Sequence, residues 1–211
     1  MSTMSKNALG ALAAISLVAT PGCISLLPES EPVSLYRLNA LVDEEQAPSA
    51  NAQTLVIERI TAPRGLAVDR VALLREGELA YMAGAAWLSP APVMVQDRIL
   101  DVLQSETPEL IPARTEDGVD GRYRLQIELR RFEAEYDQGP SRAPVIQMRV
   151  MARLIDREER TLAAARRFDV SVRASDNRQS ALIAAFSEAT NDTARSLAQW
   201  SAEVVCADSG C

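Results

Sequence analysis

The sequence predicts an α+β domain: a mostly antiparallel or mixed sheet with two main helices packed on one face. Three observations carry that prediction. Between Arg122 and Arg173, three segments alternate apolar and polar residues at period two. Two other segments, one running from Val95 to Leu103 and one from Leu182 to Val204, repeat apolar residues at spacings of three and four. The elements come in the order strands, helix, strands, helix, without internal repeats, and 211 residues suit one domain with trimmings.

The first thirty residues stand apart from this pattern. Met1 to Lys6 is polar with one positive charge, Ala8 to Ala19 is almost all Ala, Leu, Ile and Val, and Pro21-Gly22-Cys23 follows. That order matches a secretory leader. The apolar run is shorter than the about 20 residues a spanning helix needs. The segment resembles a bacterial lipobox, with Gly22 before a cysteine that is acylated and becomes the new N-terminus, although Thr20 stands where the pattern places an aliphatic residue. Residues 1–22 are therefore expected to be a signal peptide, and 23–32 a lipidated Cys23 with a short tether. Acyl chains contribute about 0.8 kcal/mol per buried methylene, enough for firm membrane attachment when several are present. Ile24, not Asp, follows the cysteine, which in enteric-type sorting points to the periplasmic face of the outer membrane. The competing reading is an ordinary cleavage site that leaves Cys23 as a free or paired thiol.

The mature chain, 33–205, then reads in order. Val33 to Leu38 is a strand, and an acidic loop leads to a second strand, Thr54 to Ile60. Arg70 to Glu76 and Glu78 to Met82 form a hairpin about Gly77. A helix starts after Trp87, with Ser89 as its N-cap, Pro90 at its first position and Pro92 in its first turn. Val95, Ile99, Val102 and Leu103 make its buried face, and Pro108 stops it. A short strand lies at Glu109 to Ala113. The three alternating segments follow as a meander, with a bulge near Arg130-Arg131, where the apolar phase shifts to Phe132. The last helix buries Leu182, Phe186, Ala189, Thr193, Leu197, Trp200 and Val204. Cys206 and Cys211 close the tail 206–211, and in an oxidising compartment they suit a disulfide.

Composition excludes several chemistries. The sequence contains no histidine, so it holds no Ser-His-Asp or Cys-His constellation and no HExxH helix. A net charge of −7 argues against nucleic-acid binding. No nucleophile elbow, phosphate-cradling loop or calcium loop is present. No catalytic residue, metal site or cofactor is therefore expected. Asp97 and Asp101, four apart beside Arg98, read as the polar outer surface of the first helix. The polar side of the meander carries Arg122, Arg124, Arg130, Arg149, Arg153, Arg167 and Arg173. That face reads either as a solvated surface balanced by Glu128 and Asp169, or as a site for an acidic partner or lipid headgroups.

One set of residues carries a family resemblance. Tyr36 and Leu38 form an early Tyr-x-Leu strand, and the strand from Val56 ends at Pro63. Asp69-Arg70 precedes the next strand, Tyr81 lies in the one after, and Trp87 leads into a helix ending in Leu103. In this order and spacing, the chain resembles the ABC-type transport auxiliary lipoproteins. These are periplasmic partners of MCE-domain (mammalian-cell-entry) lipid transport systems. The family pattern places an acid and a proline soon after the tryptophan, whereas here Leu88, Ser89 and Pro90 follow. The resemblance implies a non-catalytic lipoprotein that docks an MCE-domain protein, and through it an ABC permease and ATPase. Asp69, Arg70, Tyr81 and Trp87 are its candidate partner-binding residues; for the two aromatics, core filling is the competing role. A lipid carrier or chaperone holding an acyl chain between sheet and helices is the alternative function.

Overall fold

A computed structural model describes residues 32–39 and 46–211. The predicted leader, Cys23 and all of the tether before Pro32 lie outside the described residues. The described elements are β1 (Ser34–Tyr36), β2 (Gln53–Ile57), β3 (Arg70–Arg75), β4 (Glu78–Trp87), α1 (Ala91–Glu106), β5 (Leu110–Arg114), β6 (Tyr123–Glu135), β7 (Val145–Asp156), β8 (Thr161–Arg173) and α2 (Gln179–Ser209). The α+β prediction holds, with eight strands in one mixed sheet.

The meander is β6–β7–β8, antiparallel throughout. Period-two burial is strict along β7, where Ile146, Met148, Val150, Ala152 and Leu154 are all buried. The predicted bulge lies between Leu129 and Arg131. It shifts the phase so that Phe132 and Ala134 return to the core.

β6 organises the rest. One of its edges is taken by β7 along its whole length. The other edge is shared: β2 runs parallel to its start (Leu55↔Tyr123) and β3 parallel to its end (Leu73↔Ala134), with a bridge from Thr61 to Glu128 between them. The sheet therefore forks. β5 extends one branch, parallel to β2. In the other, β4 is antiparallel to β3 and β1 is parallel to β4. The β3–β4 hairpin turns through Glu76 (φ 49°) and Gly77 (φ 86°), two consecutive left-handed residues of the kind a tight hairpin requires.

Several local expectations are corrected. β4 runs on to Trp87, well past Met82, because β1 pairs with Ala85, Ala86 and Trp87. The N-cap of α1 is Pro90, not Ser89, and it makes no side-chain cap bond; Ala91 and Pro92 occupy the first two helical positions. Proline is tolerated there because those N–H groups have no partner within the helix. In α2 the last stripe position is Val205, which is fully buried, while Val204 is half-buried. The buried face of α2 is wider than the single stripe, taking in Ser187, Ala194, Ala198 and Ser201 beside it, and Val205 continues that flank.

α2 is held to the sheet by rings. Trp87 from β4, Phe132 from β6 and Phe186 from α2 meet with centroids 4.8–5.8 Å apart, and Phe168 of β8 meets Trp200 at 5.8 Å. Small polar residues let the helix pack closely. The hydroxyls of Ser187, Thr190, Thr193 and Ser201 are buried, and each donates to the carbonyl one turn back. That bond removes the desolvation cost of the hydroxyl. α2 continues through Cys206 to Ser209 and ends at Gly210 (φ 70°), whose N–H donates to the Cys206 carbonyl. Cys206 and Cys211 are disulfide-bonded in this arrangement.

Candidate docking site

Four chain segments meet where β1 and β4 end. The Leu88 N–H donates to the Tyr36 carbonyl (2.7 Å), joining the exit of β4 to β1. The Trp87 N–H donates to the Asp69 carbonyl (2.6 Å) and the Ala91 N–H to the Val68 carbonyl (3.1 Å). These bonds fix the loop before β3 against the start of α1. That loop is a tight turn in which the N–H groups of Leu66 and Ala67 both donate to the Pro63 carbonyl. Tyr81 pins it from the sheet: its hydroxyl donates to the Gly65 carbonyl (3.1 Å), and the Arg70 guanidinium stacks 3.9 Å from its ring centroid. A Cβ at Gly65 would lie 2.7 Å from the end of the exposed Leu79 side chain, which would have to turn aside.

This corner offers apolar as well as charged side chains to solvent. Leu35 and Leu88 are 64% and 62% exposed, and Val33 and Val93 are more than two-fifths exposed. Asp69 and Arg70 are exposed beside them. Leu88, Leu38 and Met94 line a depression of about 200 Å³ that also touches Asp97 and the buried Arg98. Arg98 is therefore not part of an outer polar surface. It is 3% exposed, and its Nε donates to Asn191 Oδ1 at 2.6 Å, tying α1 to α2. A guanidinium nitrogen lies 3.8 Å from Asp101.

The four predicted partner-binding residues thus gather in one region but take different roles. Asp69 and Arg70 face solvent, Tyr81 is half-buried, and Trp87 is 1% exposed with its ring in the core. A direct contact from the Trp87 ring to a partner is ruled out in this conformation. Sequence reasoning did not single out Leu35, Leu88 and Val93. The available signal was a large apolar residue at a solvent-facing position, seen in the Val33–Leu35 phase opposite the half-buried Tyr36.

The arginine-studded sheet face is largely neutralised from within. Arg149 and Arg167 both bind Asp169, and the bond from Arg149 in particular holds that carboxyl below its usual range. Arg130 does the same for Glu128, and Arg173 for Asp137. Arg124 reaches Glu58. Arg122 binds Asp156 and Asp208, and its hydrogen bond to Asp156 holds that carboxyl low. Burial, and then a hydrogen bond to Asp208, push the Tyr123 hydroxyl up to about 12. This last cluster closes the end of α2 onto the start of β6. It is a clasp between the two elements. Among the described residues no group of three or more Cys, Asp or Glu side chains is arranged to hold a metal ion. No described helix is long and apolar enough to cross a membrane.

The chain is similar to proteins that share this architecture. A Xanthomonas campestris protein of known structure superposes with a TM-score of 0.74 at 24% identity, covering 85% of this chain and 100% of the other. A hypothetical protein from Chlamydia trachomatis gives a TM-score of 0.54 at 11% identity, over 74% of this chain and 99% of that one. These likenesses speak to fold alone. An uncharacterized protein of Bradyrhizobium diazoefficiens is 28% identical over 147 residues, which is 70% of this chain but only 39% of that relative. The chain therefore spans about two-fifths of the length of the curated relative it matches. The family model for the ABC-type transport auxiliary lipoprotein component matches residues 36–198. With most of the folded region inside that match, the chain belongs to the ABC-type transport auxiliary lipoprotein family.

Proposed function

We propose that this protein is a non-catalytic adaptor, anchored through a lipidated Cys23 to the periplasmic face of the outer membrane. It docks the MCE-domain protein of a lipid transport system whose permease and ATPase lie across the periplasm. On this reading residues 1–22 are the leader, 23–32 the tether and 33–205 the docking domain, with 206–211 as its tail. One observation carries the docking role: Leu35 and Leu88 stand open to solvent on two segments joined by the bond from the Leu88 N–H to the Tyr36 carbonyl, with Asp69 and Arg70 exposed on the adjoining loop. Apolar side chains gathered at one place, rimmed by polar groups, are the usual mark of a protein contact. Asp69 and Arg70 would set its register.

The filled core favours docking over lipid carriage. The space between sheet and helices is occupied by Trp87, Phe132, Phe186, Leu125, Leu129 and Ile146, each at most 1% exposed. An acyl chain would have to displace them.

The test uses the full chain expressed with its MCE-domain candidate. Leu35→Asp with Leu88→Asp should abolish co-purification while leaving the circular dichroism spectrum unchanged; retained capture by this folded variant would reject the site. Cys23→Ser should move the protein from the membrane to the soluble fraction. Unchanged fractionation would reject the anchor.

A further inference from the structure

We propose that the free edge of β8 is a self-association surface, on which β8 of a second copy pairs antiparallel about a two-fold axis at Phe168. The inference stands apart from the docking role and uses a different face of the sheet.

β8 hydrogen-bonds to β7 alone, so one side of a 13-residue strand offers its backbone groups to solvent. Such an edge is a template for another strand. The other outer strands do not match it: β1 has three residues, and β5 has five with Pro112 in the middle. Among the described strands, β8 of another copy is the edge of equal length.

Charge decides the register. Arg166, Arg167, Asp169 and Arg173 lie along β8 and are exposed. Edge charges normally discourage pairing. Arg167 pairs with Asp169 of its own chain across Phe168, and the two-fold places each Arg167 also opposite Asp169 of the other copy, where the two pairings can exchange. Within one sheet Asp169 already stands opposite Arg149. The row across the junction would read Arg149, Asp169, Arg167, with alternating sign, and it would occur twice. The remaining pairs within the strand are Arg166 with Val170, Ala165 with Ser171, Ala164 with Val172 and Ala163 with Arg173. None sets like charges opposite each other. On the helix side the two Phe168 rings would adjoin, each backed by its Trp200.

The register makes a specific cross-linking prediction for the full chain in detergent. Ala165→Cys/Ser171→Cys places its two thiols six residues apart on one strand, roughly 20 Å, too far to bond within a chain. Across the proposed junction they adjoin. Mild oxidation should give a covalent dimer of the double variant and of a mixture of the two single variants. Neither single variant alone nor the wild-type chain should link. Arg167→Asp, at a 61% exposed side chain, should keep the fold by circular dichroism. It should weaken the dimer at least about tenfold in sedimentation velocity, since it sets Asp opposite Asp. A folded double variant that stays unlinked, single variants that link equally well, or a wild-type chain that is monomeric at tens of micromolar would each overturn the proposal.

Discussion

Removing the Trp87 ring separates a stability role from a binding role. The side chain is 1% exposed and lies edge-on to Phe186 (centroids 5.3 Å, planes 85°) and tilted against Phe132 at 5.8 Å. Trp87→Ala therefore leaves a cavity at the junction of β4, β6 and α2. Aromatic-to-alanine changes at such sites cost about 3–5 kcal/mol, including the ring contacts. Against a total stability of about 5–15 kcal/mol, that is a large fraction. For a domain of this size it corresponds to a fall in melting temperature of roughly 6–20 °C. Thermal and urea unfolding followed by far-ultraviolet circular dichroism reads it directly. Trp87→Phe keeps a ring in place and should lose roughly half as much or less. That variant, assayed well below its melting temperature, should behave as the wild type does in the capture assay with the proposed MCE-domain partner. A loss below about 1 kcal/mol for Trp87→Ala would show that the ring is not packed as described. Lost capture by a folded Trp87→Phe would return Trp87 to the partner contact.

Three more perturbations test other parts of the structure. Gly121→Ala would put a Cβ 2.7 Å from the Thr54 carbonyl oxygen, so β2 must shift; about 1–3 kcal/mol of stability should be lost in urea unfolding. Asp156 is held low chiefly by the hydrogen bond from Arg122. A depressed carboxyl contributes stability that is present above its unfolded value near ~3.9 and lost as pH falls through the folded value. Arg122→Met should flatten that acid limb of the stability–pH curve, and an unchanged limb would reject the pair's role. The hydroxyl of Tyr123, pushed to about 12, should ionise near that value in an ultraviolet titration, with stability falling as pH rises from about 10 toward it. Asp208→Ala should bring its ionisation down.

The parts of the fold legible in the sequence are those whose burial repeats with a fixed period. β6 and β7 alternate because one face is packed and the other solvated, β8 does so only from Phe168 on, and even the bulge at Leu129–Arg131 shows as a phase shift. The end of β4 was not legible. Ala83, Gly84, Ala85 and Ala86 have little strand preference, and it is pairing with β1 and β3 that makes them a strand. Nor does a side-chain pattern state which neighbour a strand takes or in which direction, so the fork on β6 and the parallel pairs of β2 came only with the structure. The burial of Arg98 had a readable cue. Val95, Arg98 and Val102 are three and four apart, so Arg98 falls on the buried stripe of α1. On α2, Asn191 likewise falls between Ser187 and Ala194. Asp69, Arg70 and Tyr81 were found by resemblance, whereas the exposed Leu35 and Leu88 follow from knowing which way β1 faces.

The internal pairing of charge limits what the partner contacts can be. Arg149, Arg167, Arg173, Arg130 and Arg122 each hold a carboxylate on their own sheet or on the adjoining helix and loops. Beyond the Debye length of about 8 Å at physiological salt, such pairs project little field. What remains at long range is the net charge of −7, which repels a second copy and any acidic partner. Neither contact is then driven by attraction at a distance. Docking at Leu35 and Leu88 should depend on apolar area and tolerate salt. At the β8 edge the two salt effects oppose each other: added salt weakens the Arg167–Asp169 pairs but relieves the repulsion between two negative chains. Because surface pairs contribute only about 0–1 kcal/mol each, and Phe168 is already 6% exposed within one chain, the backbone ladder must supply most of the dimer's stability, with charge selecting the register.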